Sequence, residues 1–208
     1  MGILNSATLE RMVNTFRDIG LDGRGKFASA RELAERAGSS RSTEQAIGDV
    51  VAKSRRGVTA GGFLTGLGGL VTMPALLPAN ILEFYVQATR MVGAIATLRG
   101  YDVNDDEVRA RVLAALVEEE SGDILDNVGL GVIAGAASKQ VAKRLPKETM
   151  SNVSVAIGAR VLRRFGIRSI PILGKAIPGF GGIVGAVSDR LLLNRIAKSA
   201  KKAFPAKR

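Results

Sequence analysis

The longest uncharged stretch of the chain, residues 57–82, constrains the fold more than any other segment. Its length exceeds the roughly 20 apolar residues that span a bilayer as a helix, but it also contains six glycines and two prolines. Small residues recur every four positions, and therefore share one helical face, at Gly57, Gly61, Thr65 and Gly69. Because Pro74 cannot continue that helix, the segment predicts a tightly packed hydrophobic helical hairpin with a second arm from about Asn80. The hairpin lies either in a soluble core or in lipid.

The side chains that the sequence lacks exclude several classes of enzyme. The 208-residue chain, long enough for one domain with a real core, contains no cysteine, histidine or tryptophan. Thiolate nucleophiles, imidazole bases and ordinary zinc or haem sites are therefore excluded. This composition favours a non-enzymatic function, and we assign no catalytic, cofactor-binding or metal-ligating residue. A hydrolase that acts through carboxylates is the enzymatic alternative.

Positive charge is concentrated in the last third of the chain. The formal net charge is +11, and residues 139–208 alone hold sixteen basic and two acidic side chains. Residues 57–138, by contrast, hold four basic and ten acidic side chains. This asymmetry predicts a polyanionic partner, either nucleic acid or an anionic membrane surface.

Apolar residues at helical spacing, without an alternating strand pattern, predict an all-α, single-domain helical bundle. Capping signals at Ser29, Ser42 and Asn104 open helices, and Gly100 ends the second arm of the hairpin. The predicted helices span residues 3–19, 29–38, 42–55, 80–99, 104–120, 124–144, 149–165 and 182–204. Gly20, Gly23 and Gly25 are expected to end the first helix in a loop, and Gly166 is expected to end the seventh. Two further glycine pairs repeat the four-residue spacing and are predicted helix-packing positions, namely Gly131 with Gly135 and Gly181 with Gly185.

Several segments resemble the EcsC protein family. The run GGFLTGLGGL, the following MPALLP and a helix that ends in LRGYD are similar to that family's signature region. The late segment IPILGKAIPGFGGIVGAVSDRLLLNRIAKSAKKAF resembles its second glycine-rich block and closing helix. The resemblance covers Thr43 to Phe204, and it divides the chain into an N-terminal helical appendage, residues 1–40, and an EcsC-like helical domain, residues 41–208. Members of this family are mostly bacterial and largely helical, so the resemblance implies a helical protein with a link to transport or secretion. It does not imply a particular reaction.

The final predicted helix carries the candidate interaction surface. One of its faces is apolar and holds Leu192, Leu193, Ile196, Ala200, Ala203 and Phe204. The other face is basic and holds Arg190, Arg195, Lys198, Lys201 and Lys202. A basic amphipathic helix of this kind can lie on an anionic membrane interface. A bundle helix with a solvated basic face has the same pattern, so both interpretations stay open.

Other charged clusters favour simpler interpretations. Four basic residues that lie close together in the sequence could neutralise phosphates, namely Arg160, Arg163, Arg164 and Arg168. No aromatic residues are interleaved with them, and no recognition module is evident, so the sequence does not favour nucleic acid as a partner. The acidic runs at 102–107 and 118–126 lack EF-hand spacing, and helix capping and solvated faces explain them.

We therefore expect a cytoplasmic protein that is peripheral to the inner face of the cell membrane. No apolar segment follows a basic one near the N-terminus, as a signal peptide would require. The expected function is non-enzymatic association with anionic membrane lipid in a transport, secretion or envelope-related process, with a protein partner at that transporter or envelope system. The alternative is a soluble helical module that binds a hydrophobic ligand or a protein partner through its glycine-rich faces. The pattern does not predict an oligomeric state.

Overall fold

The structure, a computed structural model, describes residues 5–24, 28–39, 42–59, 79–131, 144–169 and 180–206. Within these ranges the chain forms eight α-helices, one 3₁₀ turn and no strand, which confirms the predicted all-α bundle. The helices are α1 Ser6–Asp22, α2 Ala30–Gly38, α3 Thr43–Thr59, α4 Ala79–Leu98, α5 Asp106–Ala115, α6 Ser121–Asn127, α7 Lys147–Ser169 and α8 Phe180–Ala203. The 3₁₀ turn, Glu118–Glu120, lies between α5 and α6.

Helix α4 forms the centre of the bundle and contacts α1, α2, α3, α5 and α8. Its side chains are apolar around most of the helix, and Tyr85, Met91 and Ile95 are fully buried. The ring of Tyr85 packs against Phe16 of α1, with ring centroids 5.4 Å apart, and against Phe84, with centroids 5.3 Å apart. A helix that is apolar on all sides is stable only where neighbours cover it, and α4 therefore organises the core.

Helices α1 and α2 belong to the same hydrophobic core as the rest of the chain. The predicted apolar stripe of α1 is confirmed, since its buried residues include Leu9, Met12, Val13, Phe16 and Ile19. Of the glycines predicted to end α1, Gly23 is the C-cap, whereas Gly20 lies inside the helix against α4. The predicted last residue, Ile19, is therefore wrong, because the helix continues to Asp22. The division of the chain at residue 40 stays a prediction.

Two predicted capping signals are formed by the expected hydrogen bonds. Ser29 and Glu32 make a complete capping box at the start of α2. At the start of α3, the amide of Ser42 donates to Gln45 Oε1 at 3.1 Å, and the amide of Gln45 donates to Ser42 Oγ at 3.4 Å. Each pair satisfies two amides that the first helical turn leaves without a partner.

The predicted bounds of the fifth helix are wrong at both ends. The backbone amide and the side-chain amide of Asn104 donate to Asp102 Oδ1, at 3.0 and 2.9 Å. These hydrogen bonds hold Asn104 in a turn that precedes the helix, and Asp105 is the N-cap residue instead. Helix α5 then ends at Ala115 rather than near Glu120, because the chain turns into a left-handed conformation within the 3₁₀ turn.

The continuous helix predicted over residues 124–144 is wrong, because α6 ends much earlier. Gly129 adopts a φ of 74°, and the amide of Leu130 donates to the carbonyl of Leu125 at 2.7 Å. This is a Schellman closure, which requires the left-handed backbone that glycine tolerates and which stops a helix. Residues 132–143 lie outside the described residues.

Helix α4 corresponds to the second arm of the predicted hairpin, and α3, which leads into the predicted first arm, packs against it. Near the end of α3, Gly57 faces α4, since a Cβ atom at this position would lie 3.4 Å from Gln87 Nε2. Residues 60–78, which hold most of the predicted first arm and the turn after it, lie outside the described residues. The glycine-rich hairpin therefore stays a prediction.

Helices α7 and α8 complete the bundle. Helix α7 packs on α1 and α5, and α8 packs on α3, α4, α5 and the 3₁₀ turn. Gly166, predicted as the end of α7, lies inside that helix. Helix α8 begins at Phe180, two residues before the predicted start at Gly182, and ends at Ala203.

Candidate functional site

Helix α8 buries the apolar face that its sequence predicts. The buried side chains are Leu193, Ile196, Ala197, Ala200 and Phe204. Leu192 and Ala203 are half-buried and pack against the same core. Because the protein itself occupies this face, only the opposite side of α8 is available to a partner.

That opposite side is exposed and basic. All five predicted surface residues are exposed, namely Arg190, Arg195, Lys198, Lys201 and Lys202, and together they form what we call the basic face of α8. Leu191 lies among them and is 53% exposed, the one large hydrophobic side chain that is exposed within the described residues. Leu191 shares a line along the helix with Arg195, Lys198 and Lys202, since their spacing is i, i+4, i+7 and i+11.

Carboxylates from two neighbouring elements approach the basic face of α8. Lys201 Nζ lies 3.3 Å from Glu44 of α3, and Arg195 lies 3.9 Å from Glu118 of the 3₁₀ turn. The Lys201–Glu44 pair is exposed and contributes little to stability. The other two lysines of the face, Lys198 and Lys202, form no ion pair with any residue that the structure describes. These two lysines therefore present positive charge that no described carboxylate offsets.

The turn after α4 holds the C-terminal end of α8 in place. Gly100, as predicted, ends α4 with a φ of 79°, which directs the residues on either side toward α8. Arg99 donates to the Phe204 carbonyl at 3.2 Å, and the Tyr101 hydroxyl donates to the Pro205 carbonyl at 3.0 Å. The rings of Tyr101 and Phe204 also pack together, with centroids 5.2 Å apart. The LRGYD segment thus fixes the orientation of the basic face.

A second charged site lies close to α8, in a cleft of about 290 Å³. The cleft is lined by Tyr85, Val117, Glu120, Arg160, Val161, Arg163 and Arg164. Its three arginines fall within five residues of α7, so that all three project from one side of that helix. We call this site the arginine cleft.

Glu118 connects the arginine cleft to α8. Its buried carboxylate accepts a hydrogen bond from Arg164 at 2.8 Å, and Arg195 of α8 lies 3.9 Å away. Ser199 Oγ donates to the Glu118 backbone carbonyl at 3.5 Å. Glu118 has a φ of 57°, the one positive φ at a non-glycine residue within the described ranges. A left-handed backbone costs about 1–2 kcal/mol at such a residue, and it persists where surrounding contacts hold it.

The other polar groups of the cleft differ in burial. Burial, opposed by the positive charge of Arg164, raises the pKa of Tyr85 to about 12, so its hydroxyl is neutral at neutral pH. Glu120, in contrast, is exposed and accepts a hydrogen bond from Arg160 at 2.5 Å. Arg163 is exposed and forms no ion pair with another described residue. The three arginines thus outnumber the two carboxylates that approach them.

The glycines predicted to pack helices together lie in different environments. Gly57 faces α4, whereas Gly131 lies in the exposed loop after α6, where a Cβ atom would meet Asp126, at 3.7 Å, and no other described residue. Gly181 and Gly185 lie in the first turns of α8. The remaining predicted positions, Gly61, Thr65, Gly69 and Gly135, lie outside the described residues.

Three isolated glycines make close helix contacts that the sequence analysis missed. A Cβ atom would come within 3.0 Å of a neighbouring helix at Gly20, Gly93 and Gly158. None of them belongs to the four-residue repeats on which the prediction relied. A signal was nevertheless present, because glycine inside a helix costs about 1 kcal/mol relative to alanine and therefore often has a packing reason.

No helix in the part of the chain that the structure describes has an apolar stretch long enough to cross a membrane. Within the same ranges, no group of three acidic side chains could hold a metal ion. The basic face of α8 and the arginine cleft are the candidate sites of this fold.

Comparison with known proteins agrees with the resemblance found in the sequence. The model of the EcsC protein family matches residues 18–208. The resemblance predicted over Thr43–Phe204 is thereby confirmed, and the match extends further toward the N-terminus, into α1. No curated protein and no solved structure matches the chain.

Proposed function

We propose that this chain, which belongs to the EcsC protein family, associates peripherally with an anionic membrane surface through the basic face of α8. The association takes place at the inner face of the cell membrane, in a transport, secretion or envelope-related process with a protein partner of that system. The observation that carries the proposal is an exposed leucine, Leu191, that lies in line with Arg195, Lys198 and Lys202.

The charge of the basic face supports attraction to anionic lipid. A basic residue near such a bilayer contributes about 1 kcal/mol. Lys198 and Lys202 offer their charge directly, because neither forms an ion pair within the described residues. Arg195 and Lys201 approach carboxylates, but their side chains are 66% and 42% exposed and still reach the surroundings.

Leu191 supports a bilayer as the partner rather than nucleic acid. Its exposed apolar surface gains about 25 cal/mol per Å² when it leaves water for the boundary between headgroups and acyl chains. A phosphate backbone recognises positive charge and hydrogen-bond donors, and it gains little from a leucine. A leucine within a basic face therefore fits a surface that is anionic outside and apolar beneath.

The burial of the opposite face of α8 determines how the protein would dock. Leu193, Ile196 and Phe204 are fully buried in the core, so α8 cannot lay this face into lipid without leaving the bundle. The folded protein would instead place its basic face on the surface as a rigid body. Such binding is reversible, and salt weakens it because screening shortens the reach of the charges.

Sedimentation with vesicles tests this proposal. The wild type is expected to bind phosphatidylglycerol-containing vesicles at low salt and to bind pure phosphatidylcholine vesicles weakly. Replacement of Arg195, Lys198, Lys201 and Lys202 by Gln should remove roughly 4 kcal/mol of attraction at most. Circular dichroism should show unchanged helix content in this variant, since the substituted side chains are exposed.

A charge-matched variant provides the control. Arg11, Arg24, Arg36 and Lys147 are exposed on other parts of the fold, and their replacement by Gln removes the same net charge. This control should bind the anionic vesicles better than the α8 variant does, and duplex DNA, assayed alongside, should bind more weakly than the vesicles. The proposal is wrong if the wild type ignores anionic vesicles at low salt, or if both variants lose binding equally.

A further inference from the structure

The arginine cleft contains a set of donors that suits an oxyanion. Arg160, Arg163 and Arg164 stand at i, i+3 and i+4 on α7, which places their guanidinium groups on one side of the helix. Glu120 and Glu118 orient the first and the last of them, at 2.5 and 2.8 Å. A planar guanidinium presents its donors as a fork that matches phosphate as well as carboxylate. Arg163, between these two pairs, is exposed and forms no ion pair within the described residues.

The two carboxylates of the cleft differ in how easily an anion could replace them. Glu118 is buried and is held by contacts from α7 and α8, so it stays in place and orients Arg164. Glu120 is exposed, and its pair with Arg160 is of the surface type that contributes little. The Glu120 carboxylate therefore occupies the position that the oxygen of a bound anion would take, and it can yield that position at small cost.

The remaining walls of the cleft limit the ligand to a small molecule or a headgroup. Val117 and Val161 supply apolar surface beside the arginines, and the fully buried Tyr85 lines the cleft as well. The volume of about 290 Å³ lies just below the roughly 300–1,000 Å³ that is usual for ligand pockets. A doubly charged phosphomonoester with a short organic group matches both the charge and the size of this cleft.

We propose that the arginine cleft binds a phosphomonoester group, with Arg160, Arg163 and Arg164 as its ligands and Glu120 as the carboxylate that it displaces. The same group occurs on small soluble phosphates and on the headgroup of phosphatidic acid. The proposal does not depend on the docking of α8, because none of these four residues belongs to the basic face of that helix.

Calorimetric titration with inorganic phosphate and with glycerol 3-phosphate tests the soluble source. The wild type should bind at one saturable site, and Arg163→Gln should weaken binding about tenfold or more, the usual effect of removing a charge-assisted hydrogen bond. Glu120→Gln should tighten binding about two- to fivefold, because a competing carboxylate is gone. We prefer Arg163→Gln to Arg164→Gln, because the second substitution removes the hydrogen bond that Arg164 donates to the buried Glu118. The loss of that partner would destabilise the fold.

Two controls change the same charges elsewhere. Lys147→Gln removes one positive charge from the exposed start of α7, outside both proposed sites, and Glu35→Gln removes one negative charge from the exposed side of α2. Neither substitution should change the affinity for the soluble phosphates more than about twofold, since screened surface charges act weakly at a distance.

Vesicles distinguish the lipid source. Phosphatidic acid carries a phosphomonoester, whereas phosphatidylglycerol carries only a phosphodiester, so the two are compared at equal surface charge. Stronger binding to phosphatidic acid that Arg163→Gln abolishes assigns the site to a lipid headgroup, while saturable binding of glycerol 3-phosphate without that preference assigns it to a soluble ligand.

Two results would overturn the inference. One is the absence of both saturable phosphate binding and any preference for phosphatidic acid, and the other is an equal loss of phosphate binding in Arg163→Gln and Lys147→Gln. Neither result decides the docking of α8, which is tested with phosphatidylglycerol vesicles. A protein that ignores those vesicles but binds glycerol 3-phosphate would refute the membrane proposal alone.

Discussion

Helices α4 and α8 pack against each other, yet they are buried to very different degrees. From Ile81 to Leu98, every residue of α4 is buried or half-buried. From Asp189 to Ala203, α8 buries one face only and exposes Arg190, Leu191, Arg195, Lys198, Lys201 and Lys202. The two helices therefore have different roles in the bundle. Helix α4, which is covered on all sides, organises the core, and α8, which is covered on one side, presents the charged surface.

The largest expected effect tests this difference directly. Met91 of α4 is fully buried, whereas Leu191 of α8 is 53% exposed. Met91→Ala leaves a cavity at the centre of the core and should cost about 2–5 kcal/mol of unfolding free energy. Leu191→Ala removes a side chain that water already reaches and should change stability by about 0.5 kcal/mol or less. Urea denaturation of both variants measures the contrast, and equal losses would show that α8 is packed as completely as α4.

A second, smaller effect concerns how the stability of the protein depends on pH through Tyr85 of α4. Burial raises the pKa of Tyr85 to about 12, and the negative charges of Glu118 and Asp189 act in the same direction while Arg164 opposes them. Because tyrosine in the unfolded chain ionises near its ordinary pKa of 10.0, the stability that the neutral hydroxyl contributes is complete below that pH. It is lost as the pH rises toward the folded pKa, by roughly 2–3 kcal/mol over the whole window.

Tyr85→Phe isolates this titration from that of the many lysines. The variant cannot ionise at this position, so its stability should fall less than that of the wild type between about pH 9 and about pH 12. Denaturation curves of both proteins across this range give the difference. Parallel decline of the two proteins would mean that the Tyr85 hydroxyl is solvated in the folded state.

The features that the sequence predicted correctly are those that local spacing determines. The two faces of α8 follow from apolar and basic residues at helical intervals, and the capping box of Ser29 and Glu32 follows from residues three positions apart. Gly100 ends α4 for an equally local reason, because the closure after a helix needs a left-handed residue. In each of these cases the interacting groups lie within a few residues of one another along the chain.

The features that the sequence did not predict depend on partners far away in the chain. Glu118 was assigned to a solvated acidic run, but Arg164 and Ser199 hold it in a left-handed turn from two other helices. The grouping of three arginines on α7 was visible, whereas the arrival of Tyr85 from α4 in the same cleft was not. The role of Gly20 was also missed, because the sequence does not show that α4 crosses α1 at this position. The absence of a side chain on Gly20 allows the two helices to approach closely.

The smallest expected change in stability concerns the point where α1 crosses the covered helix α4. A Cβ atom on Gly20 would lie 2.8 Å from Thr89 Cβ and 2.9 Å from the Val86 carbonyl oxygen, so one of the two helices must shift. Gly20→Ala should therefore lower the unfolding free energy by about 1–3 kcal/mol through overpacking. Gly48 of α3 is the matched control, because no atom of the described residues lies within 4 Å of the Cβ that it would gain. Gly48→Ala should raise stability by about 0.5–1 kcal/mol, since alanine favours the helix and restricts the unfolded chain. If thermal unfolding shows gains of the same size in both variants, α1 does not approach α4 as closely as the structure places it.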